Sequence, residues 1–255
     1  MLRLISYNVN GIRSALSKGL ADWLTTENPD IVCFQETKAE KANIDGDTFE
    51  NLGYHEHWYS AEKKGYSGVL ILSKVAPDFV ETGMGDPFFD REGRVIRADF
   101  GDLTVVNIYF PSGTSGEIRQ DAKYVFLKSI FSWLEDLRAK RPNIIVVGDY
   151  NIAHTEIDIH DPKGNKNSSG FLPEERAWLD SFAANHWTDA YRHHNPGTQK
   201  YSWWSFRAGA RSRNKGWRID YQFVSTAMVS KIVDSDLLND AVHSDHCPVA
   251  VTYDI

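Results

Sequence analysis

Polar side chains that can bind a metal ion or transfer a proton recur where the apolar runs of this sequence begin and end. The set comprises Asn8, Asn10, Glu36, Tyr109, Asp149, Asn151, Asp220, Asp245 and His246. In stacked α/β sheets, strand ends and their loops are the places where functional sites are built. Each residue alone also has an ordinary explanation as a turn, a helix cap, a structural ion pair or a core side chain. A shared site follows only if the fold brings these strand ends together.

Carboxylate and amide oxygens dominate this set, and the Cys and His spacings of a zinc site are absent from the sequence. In proteins Mg²⁺ is bound by one or two carboxylates, keeps several waters and accepts substrate phosphate oxygens as ligands. Glu36 with Asn10 fits that description. The sequence therefore predicts a site for Mg²⁺, with Mn²⁺ as a substitute.

The remaining polar residues suit the hydrolysis of a phosphodiester. Asp149, hydrogen-bonded by Asn151, could position a water molecule and remove its proton. His246, held and kept cationic by Asp220, could stabilise negative charge on a phosphate oxygen. With a metal ion nearby, these parts predict metal-assisted phosphodiester hydrolysis.

The segment 201–220, YSWWSFRAGARSRNKGWRID, predicts a nucleic-acid substrate. It interleaves cations with aromatics: Arg207, Arg211, Arg213, Lys215 and Arg218 with Tyr201, Trp203, Trp204, Phe206 and Trp217. Guanidinium groups suit phosphates, and aromatic faces suit sugars or bases. A solvated basic loop over a few core aromatics is the alternative. The net charge of −7, from 28 basic and 35 acidic residues, argues against a broadly basic coat but not against a local basic surface.

The apolar pattern predicts the elements that must position these groups. Eight strand-like runs appear, at 2–7, 31–34, 68–73, 95–100, 103–109, 144–147, 219–224 and 249–253. Helical faces recur over 12–24 and 122–137, and a third helix opens at Pro173. The adjacent runs 95–100 and 103–109 do not fit a purely parallel sheet. We therefore expect an α/β sandwich with mixed sheets.

Length and composition bound the remaining expectations. The 255 residues contain no internal repeat or long linker, which favours a single domain spanning residues 1–255. Cys33 and Cys247 lie in or beside apolar runs, which favours two buried thiols over a disulfide. The N-terminus lacks the pattern of a secretory signal, and no apolar run approaches the roughly 18 residues that span a membrane. We expect a cytoplasmic monomer without membrane contact.

Nine motifs occur in order from residue 6 to residue 248: SYNVNGIRS, FQETK, GYSGV, REGRVIRADF, NIYFPSG, GDYNIAH, GFLPEER, GWRIDY and SDHCP. Together they closely resemble the exonuclease III family of apurinic/apyrimidinic (AP) endonucleases, whose wider relatives are the DNase I-like and inositol-phosphatase enzymes. GFLPEER and the stretch ending in GWRIDY are typical of the DNA-repair branch. The resemblance covers essentially the whole chain.

The resemblance implies a four-layer α/β sandwich of two packed mixed sheets flanked by helices, with the site at one edge of both sheets. It implies a Mg²⁺-dependent base excision repair nuclease that cleaves double-stranded DNA 5′ to an abasic site and leaves a 3′-hydroxyl. It also implies 3′→5′ exonuclease activity and the removal of blocked 3′ ends as a phosphodiesterase or phosphatase. Alternatives are an enzyme that is chiefly a 3′→5′ exonuclease, one acting on phosphoinositides, and a non-catalytic DNA-binding module.

By motif position, the resemblance also implies a role for each site residue, with Glu36 as the principal metal ligand and Asp149 as the group that activates water. The metal ligands would come from Glu36, Asn10, Asp245, Asp149 and Asn151. The catalytic groups would be Tyr109, Asp149, Asn151, Asp220 and His246. The substrate contacts would be Asn8, Ser112, Trp203, Arg207, Trp217 and Ile219. The resemblance places a small apolar pocket for the base-less sugar at Trp203, Trp217 and Ile219. Such a pocket suits a flipped sugar and excludes a nucleotide that still carries its base.

Three positions depart from relatives in that family. Asn10 stands where many have aspartate, and a neutral amide binds Mg²⁺ more weakly. Ser112 stands where some have asparagine, so its shorter side chain would reach the phosphate through a water. Ser115 and Arg207 occupy the positions from which some relatives insert arginine and methionine into the duplex. We therefore expect this chain to contact the DNA duplex through side chains that differ from those of these relatives.

Overall fold

The computed structural model describes residues 1–44 and 46–255. Within these ranges the chain forms twelve strands: β1 Leu2–Asn8, β2 Ile31–Gln35, β3 His55–Tyr59, β4 Val69–Ser73, β5 Phe79–Thr82, β6 Val95–Phe100, β7 Leu103–Tyr109, β8 Asn143–Asp149, β9 Trp187–Asp189, β10 Asp220–Ser225, β11 Ile232–Leu237 and β12 Val249–Tyr253. The same ranges hold six α-helices: α1 Ile12–Ser17, α2 Leu20–Glu27, α3 Pro87–Asp90, α4 Glu117–Lys140, α5 Pro173–Ala184 and α6 Ala190–His194.

The strands form two six-stranded mixed sheets. The first sheet has the order β11-β12-β1-β2-β4-β3, and the second has the order β5-β6-β7-β8-β10-β9. Each sheet has one parallel pair at its centre, β1 with β2 and β7 with β8, and antiparallel strands flank it. Both parallel pairs end at the same edge of the molecule, because the last residue of β1 contacts the last residue of β8.

Alternation along the strands divides their side chains between an inner core and two outer cores. Leu4, Cys33, Ile71, Val105 and Val147 fill the space between the two sheets. The opposite face of the first sheet packs against α1 and α2, and that of the second sheet packs against α4 and α5. The resulting order of helix, sheet, sheet and helix confirms the predicted four-layer α/β sandwich.

The eight predicted strands are present, with ends that differ by at most two residues. The four strands without a predicted counterpart, β3, β5, β9 and β11, are the edge strands of the two sheets, where apolar residues on both faces are not required. The helix predicted over 12–24 is divided into α1 and α2, because Gly19 between them adopts a left-handed conformation with φ 88°. The helix predicted over 122–137 is α4, which begins earlier, at Glu117.

A line of buried polar side chains fixes one sheet on the other just behind the shared edge. Gln35 Nε2 donates to Ser6 Oγ in the first sheet at 3.0 Å and to Asn107 Oδ1 in the second sheet at 2.7 Å. Asn107 Nδ2 donates in return to the carbonyls of Phe34 and Leu70, both at 3.0 Å. Because a buried amide without partners costs free energy, these bonds favour a single alignment of the two sheets.

Two expectations from composition concern the thiols and the membrane. Cys33 and Cys247 are both buried and unpaired, as the sequence predicts. Burial raises the pKa of both thiols well above the ordinary value, so they remain protonated. No helix in the described ranges combines the length and the apolar character needed to cross a bilayer.

Candidate active site

Strand ends from both sheets meet at the shared edge. The parallel strands β1 and β2 end there at Asn8 and just before Glu36, and β7 and β8 end there at Tyr109 and Asp149. β10 runs antiparallel to β8, so its first residue, Asp220, pairs with Asp149. β12 runs antiparallel to β1, which places the loop before β12 at the same edge. The sheet topology therefore produces the convergence that the sequence only suggests.

Asn8 joins the two sheets at this edge. Its Nδ2 donates to Glu36 Oε1 at 2.9 Å and to Asp149 Oδ2 at 2.8 Å, so one amide bridges carboxylates that belong to different sheets. The backbone N–H of Asn10 donates to Asn8 Oδ1 at 2.9 Å and fixes the orientation of that amide. Asn8 is fully buried, and the two hydrogen bonds of its amide hold the two carboxylates together. Its contact with a substrate stays a prediction.

Uncommon backbone conformations accompany several of these residues. Asn10, Glu36 and Asn151 adopt left-handed φ values of 45°, 51° and 52°, which are sparsely populated outside glycine. Gly148, with φ 147°, lies where β7 and β8 approach so closely that a Cβ atom would be 1.8 Å from the Ile108 carbonyl oxygen. Such strain is retained mainly at functional sites, where surrounding structure holds it in place.

The acid–imidazole pair predicted from GWRIDY and SDHCP is formed. His246 Nδ1 lies 2.9 Å from Asp220 Oδ2, and Ser202 Oγ donates to the same carboxylate oxygen at 2.6 Å. His246 Nε2 lies 3.9 Å from Asp149 Oδ2. Burial opposes the charged imidazole, but the Asp220 carboxylate outweighs it and the pKa of His246 rises to about 10. The ring is therefore a cation at neutral pH, with its Nε2–H on the side of Asp149.

Asp149 is a buried carboxyl group among other acids. Burial and the Asp220 and Glu36 carboxylates raise the pKa of Asp149 to about 8, while the His246 cation opposes that rise. The backbone N–H of Asn151 donates to Asp149 Oδ1 at 2.8 Å, and Asn151 Nδ2 donates to Oδ2 at 3.3 Å. A carboxyl group with fixed orientation and a pKa near the ambient pH is suited to accept and return a proton.

Glu36 carries a full negative charge beside Asp149. Lys38 Nζ lies 2.8 Å from Glu36 Oε2 and donates to Asn10 Oδ1 at 2.5 Å. Burial raises the pKa of Glu36, but the Lys38 ammonium and the Asn8 amide outweigh burial, so this pKa lies below its ordinary value. Glu36 is therefore an anion at neutral pH and can act as a metal ligand.

Asp245 connects the charged residues to an aromatic wall. Asn10 Nδ2 donates to Asp245 Oδ1 and Trp203 Nε1 donates to Asp245 Oδ2, both at 3.0 Å. Burial raises the pKa of Asp245, while the His246 cation and these two donors outweigh burial and lower it. Asp245 is consequently an anion whose two oxygens are both hydrogen-bonded.

Tyr109 places its phenol beside the carboxylates. Arg94 lies beneath it, with the guanidinium carbon 4.9 Å from the ring centroid and Nη1 donating to the Tyr109 carbonyl at 3.0 Å. Burial and the Glu36 carboxylate raise the pKa of Tyr109 well above its ordinary value. The phenol therefore stays protonated and can donate a hydrogen bond.

The donor set fits a hard divalent cation. Glu36, Asp149 and His246 each offer one ligand atom, and these atoms lie within 4.8 Å of one another. His246 is nevertheless a poor ligand, because a cationic imidazole has no free lone pair. Among the described residues at this edge, the carboxylates of Glu36, Asp220 and Asp245 face the cations Lys38 and His246, and a bound metal ion would ionise Asp149 as a fourth carboxylate. A divalent cation would balance that excess, and carboxylate and amide oxygens are the ligands that Mg²⁺ and Mn²⁺ prefer.

A cavity of about 640 Å³ opens beside the charged residues. Trp203, Trp217 and Ile219 give it an apolar wall, and the two indole rings meet edge to face with centroids 6.0 Å apart. Ser112 and the segment 168–170 also line it. The polar lining comprises Glu36, Tyr109, Asp149, Asn151, Asp245 and His246. One cavity therefore joins the apolar wall to the groups that can cut a phosphodiester.

Three arginines of the basic-aromatic stretch lie outside this cavity. Arg207 is exposed on a 3₁₀ turn and is not part of the lining. Arg218 is buried, with Nε 2.7 Å from Asp158 Oδ1 and Nη1 2.7 Å from Asp189 Oδ2. Arg211 donates to three backbone carbonyls in the segment that precedes β12. The interpretation of Arg218 as a phosphate ligand is therefore wrong, because its guanidinium group is buried between two carboxylates. Arg211 is half-buried, and its contact with a phosphate stays a prediction.

The sequence analysis did not identify several residues that support the site, because they do not lie at the ends of apolar runs. Lys38 belongs to the FQETK motif and Ser202 lies next to Trp203, but neither position ends a predicted strand. The serine and glycine residues at 168–170 carry no chemical signal of their own. Their place in the cavity wall depends on the packing of one loop against Trp217, which no local pattern encodes.

The fold and the site define a class of phosphoester hydrolases, and comparisons with known proteins identify the family. A profile of the Endonuclease/Exonuclease/phosphatase family matches residues 5–246, and the chain belongs to this family. It is 41% identical to an exodeoxyribonuclease of Bacillus subtilis over the full length of both chains. It is 42% identical to a DNA-(apurinic or apyrimidinic site) endonuclease of Dictyostelium discoideum, covering all of this chain and 71% of that protein.

Solved structures agree with these relatives. An AP endonuclease from Archaeoglobus fulgidus superimposes with a TM-score of 0.91 at 31% identity, covering 100% of both chains. A 3′-5′ exonuclease (NExo) from Neisseria meningitidis superimposes with a TM-score of 0.93 at 27% identity, again over 100% of both chains. The predicted membership of the exonuclease III family of AP endonucleases is thereby confirmed.

Proposed function

We propose that this chain is a base excision repair nuclease that uses Mg²⁺ to hydrolyse the phosphodiester 5′ to abasic sites in double-stranded DNA. The observation that carries this proposal is the single cavity in which Glu36, Asp149 and the His246–Asp220 pair face a wall of Trp203, Trp217 and Ile219 (the apolar wall). The relatives named for AP endonuclease and exodeoxyribonuclease activity support a DNA substrate. Removal of blocked 3′ ends and 3′→5′ exonuclease activity would use the same groups.

Glu36 would be the principal ligand of the metal ion, with Asn10, Asp245, Asp149 and Asn151 as further or water-mediated ligands. When bound, Mg²⁺ supplies Lewis-acid stabilisation of negative charge on the phosphate. The bonds of Asn10 to Lys38 and Asp245 leave its amide little freedom to turn toward a cation, which supports a leading role for Glu36. Mn²⁺ would substitute because it shares the preference for oxygen ligands.

Asp149 would orient the attacking water and accept its proton, with Asn151 as the second hydrogen-bonding group for that water. His246, cationic because of Asp220, would stabilise the charge that develops on a phosphate oxygen or donate a proton to the leaving oxygen. The neutral phenol of Tyr109 would donate a hydrogen bond to the phosphate, and Asn8 would do so by releasing one of the two carboxylates to which its amide donates.

The apolar wall would select a sugar that lacks its base. An edge-to-face pair of indoles with Ile219 offers an apolar contact surface for a flipped deoxyribose. Ser112 would reach the phosphate through a water, and exposed Arg207 would contact the DNA backbone beside the lesion.

A duplex with one tetrahydrofuran abasic analogue tests the proposal directly. Incision at the 5′ side of the analogue is expected with Mg²⁺ and should disappear when the metal is removed by a chelator. Metal-free protein supplied with Mg²⁺ or Mn²⁺ in turn identifies the ions that restore the rate. An intact duplex in the presence of Mg²⁺, or undiminished incision in chelator, would overturn the proposal.

A second candidate is an enzyme that is chiefly a 3′→5′ exonuclease. It is favoured by the full-length relative named exodeoxyribonuclease and by the superimposed structure titled as a 3′-5′ exonuclease. Comparing kcat/KM for the tetrahydrofuran duplex with kcat/KM for a recessed 3′ end ranks the two. A non-catalytic DNA-binding module is disfavoured, because every predicted catalytic group is present at the shared edge.

We also infer a single domain spanning residues 1–255 that acts as a monomer. The sheet order supports one domain, since β1 from the start of the chain pairs with β12 from its end. Two buried unpaired thiols suit a reducing compartment, which supports the cytoplasm as the place of action. Light scattering during size-exclusion chromatography measures the oligomeric state, and a dimeric mass would contradict the monomer.

A further inference from the structure

A buried ion pair links the two outer helices of the second sheet. Lys123 on α4 and Glu175 on α5 are both 0% exposed at their side chains, and Nζ lies 2.5 Å from Oε1. Removing two such charges from water is expensive, and apolar side chains of similar volume would commonly serve stability as well. The pair lies outside the cavity lining, so neither residue faces the site where the substrate would bind.

The lysine end of this pair holds the backbone of Asn151. Lys123 Nζ donates to the Asn151 carbonyl at 2.8 Å. That residue adopts the left-handed φ of 52°, and its Nδ2 donates to the Phe110 carbonyl at 3.0 Å as well as to Asp149. A strained conformation persists only when surrounding bonds over-determine it. Lys123 supplies one of those bonds directly behind the amide that lines the cavity.

The glutamate end of the pair holds the loop that lines the cavity. Glu175 Oε2 accepts the backbone N–H of Gly170 at 2.6 Å and that of Leu172 at 3.0 Å. Gln120 Nε2 donates to Glu175 Oε1 at 3.0 Å, and Ser169 Oγ donates to Gln120 Oε1 at 2.7 Å. Two of these hydrogen bonds tie the loop 168–170 to α4 and α5, from Gly170 to Glu175 and from Ser169 to Gln120. The bond between Gln120 and Glu175 joins the two helices to each other.

The two ends are coupled because the loop contacts both the apolar wall and Asn151. A Cβ atom at Gly170 would lie 2.9 Å from the Trp217 ring and 3.1 Å from the Asn151 carbonyl oxygen. The Gly170 carbonyl also accepts the backbone N–H of Ala153 at 2.7 Å. A shift of the ion pair would consequently displace Asn151 and the indole wall together.

We propose that Lys123 and Glu175 are positioning residues that hold Asn151 and the loop 168–170 in the positions required for incision. This inference rests on the proposed function, since it assigns the pair a role in that same site. The Lys123 bond to Asn151 sets the rate of hydrolysis on every DNA substrate. The bonds of Glu175 and Gln120 to the loop set the preference for an abasic sugar.

The double variant Lys123→Met, Glu175→Gln isolates the lysine bond. Removing both charges together leaves no unpaired ion, and the Gln carbonyl oxygen still accepts the Gly170 and Leu172 N–H groups. The Gln120 amide keeps its bonds to position 175 and to Ser169 by turning, so that its oxygen accepts from the new Nε2 and its own Nε2 donates to the Ser169 hydroxyl. The Met side chain cannot donate to the Asn151 carbonyl. We expect kcat to fall roughly 10–100-fold on both the tetrahydrofuran duplex and a recessed 3′ end, with KM within about twofold, as for other groups that orient a catalytic shell.

A matched control lies further along α4, where Glu135 and Arg138 form a partly exposed pair at 2.7 Å. The variant Glu135→Gln, Arg138→Met also removes one anion and one cation, both from α4, and should leave kcat on both substrates unchanged. An equal loss of kcat in this control and in the Lys123 variant would overturn the proposal. So would an increase in KM with kcat unchanged in the Lys123 variant.

The single variant Gln120→Met tests the loop end without breaking the ion pair. Ser169 loses its acceptor, so kcat/KM for the tetrahydrofuran duplex should fall relative to that for the recessed 3′ end by roughly two- to tenfold, the equivalent of one hydrogen bond. An unchanged ratio would contradict the role of the loop. Because Gln120 is only partly buried, this variant is expected to fold even if the double variant does not.

Amide hydrogen exchange, measured by NMR on the metal-free protein, separates this inference from the proposed function. Exchange at Asn151 and Ala153 should accelerate in the double variant, while Gly170 keeps its protection. If the unmodified chain incises neither DNA substrate, the proposed function fails, and accelerated exchange would still support the positioning role. Unchanged exchange in the double variant would overturn that role whatever the activity.

Discussion

The site has two halves that the chain builds in different ways. The polar half consists of Asn8, Glu36, Asp149, Asp220 and His246, which lie at strand ends or directly before β12. The pocket half consists of Ser112, the segment 168–170, Trp203 and Trp217, which lie in loops. Within the polar half, one amide and one imidazole connect three carboxylates from two sheets. The pocket half instead rests on ring contacts and on bonds that come from the outer helices.

This difference indicates a division of labour between rate and selectivity. Groups fixed at the ends of paired strands cannot move without breaking sheet hydrogen bonds, which suits the precise placement that proton transfer needs. Loop residues can be replaced or shifted at lower cost, which suits the recognition of different DNA lesions. Substitutions in the polar half should therefore lower kcat on every substrate, and substitutions in the pocket half should change the preference among substrates.

The largest effect is expected for Asp149→Asn in the polar half. The amide cannot accept a proton from water, so the single-turnover rate of incision should fall ~10²–10⁴-fold while binding of the tetrahydrofuran duplex is largely retained. Fluorescence anisotropy measures the binding, and quenched-flow incision measures the rate. A rate near that of the unmodified enzyme would show that Asp149 is not the base.

Asp220→Asn is expected to lower the rate by roughly 10²–10³-fold and to move its pH dependence. The Asp220 carboxylate raises the pKa of His246, which is about 10, and that of Asp149, which is about 8. Without it, His246 loses its proton at lower pH and Asp149 becomes an anion at lower pH. Both limbs of the profile of kcat/KM against pH should therefore shift toward acid.

Ser202→Ala provides the matched control for that shift. It removes a hydrogen bond of 2.6 Å to the same Asp220 oxygen and leaves the charge in place. The displacement of both limbs should then be smaller than in Asp220→Asn. A profile that keeps its limbs in Asp220→Asn would mean that neither His246 nor Asp149 controls the rate.

Trp217→Ala should expose the contrast between the two halves. Loss of one side of the apolar wall should reduce kcat/KM for the tetrahydrofuran duplex roughly 10–200-fold, the range for a changed apolar pocket, and affect release of a 3′-phosphate far less. Phe206→Ala, at an exposed aromatic of the same stretch, should change both activities equally. Equal losses of both activities in Trp217→Ala would remove the assignment of the wall to the abasic sugar.

The sequence predicts the polar half better than the pocket half for a physical reason. Apolar runs mark strands, and a strand end fixes where its next side chain lies, so Glu36, Asp149 and Asp220 follow from local patterns. Sheet order determines which strand ends meet, and that order depends on pairings such as β1 with β12, whose residues are far apart in the chain. Before the structure, only the resemblance to a known family indicated which strand ends meet.

The residues that hold the pocket half in place are buried by tertiary packing, which no local sequence pattern predicts. Lys123 is one charged residue on a helix with many, and its burial follows only from the packing of α4 against α5. Arg218 shows the opposite case. Its place in a basic stretch predicts an exposed cation, but its side chain lies buried between Asp158 and Asp189. The net charge of a segment therefore does not reveal which of its charges reach a substrate.

The smallest effect is expected for Asn10→Asp, which tests whether position 10 contributes to the binding of Mg²⁺. Asn10 Nδ2 donates to Asp245, and its Oδ1 accepts from Lys38. A carboxylate would add negative charge beside Glu36 and strengthen the binding of Mg²⁺. The Mg²⁺ concentration for half-maximal rate should then fall roughly fivefold or more, which corresponds to about 1 kcal/mol of added attraction.

The control for this variant is Asn185→Asp, which adds the same charge at the far end of α5. Its Mg²⁺ dependence should match that of the unmodified enzyme, because solvent and salt screen a distant charge. If Asn10→Asp also leaves the Mg²⁺ dependence unchanged, the metal lies out of reach of position 10. Glu36 would then carry the site with Asp149 as its neighbour, and Asn10 would serve only to orient Asn8 through its backbone N–H.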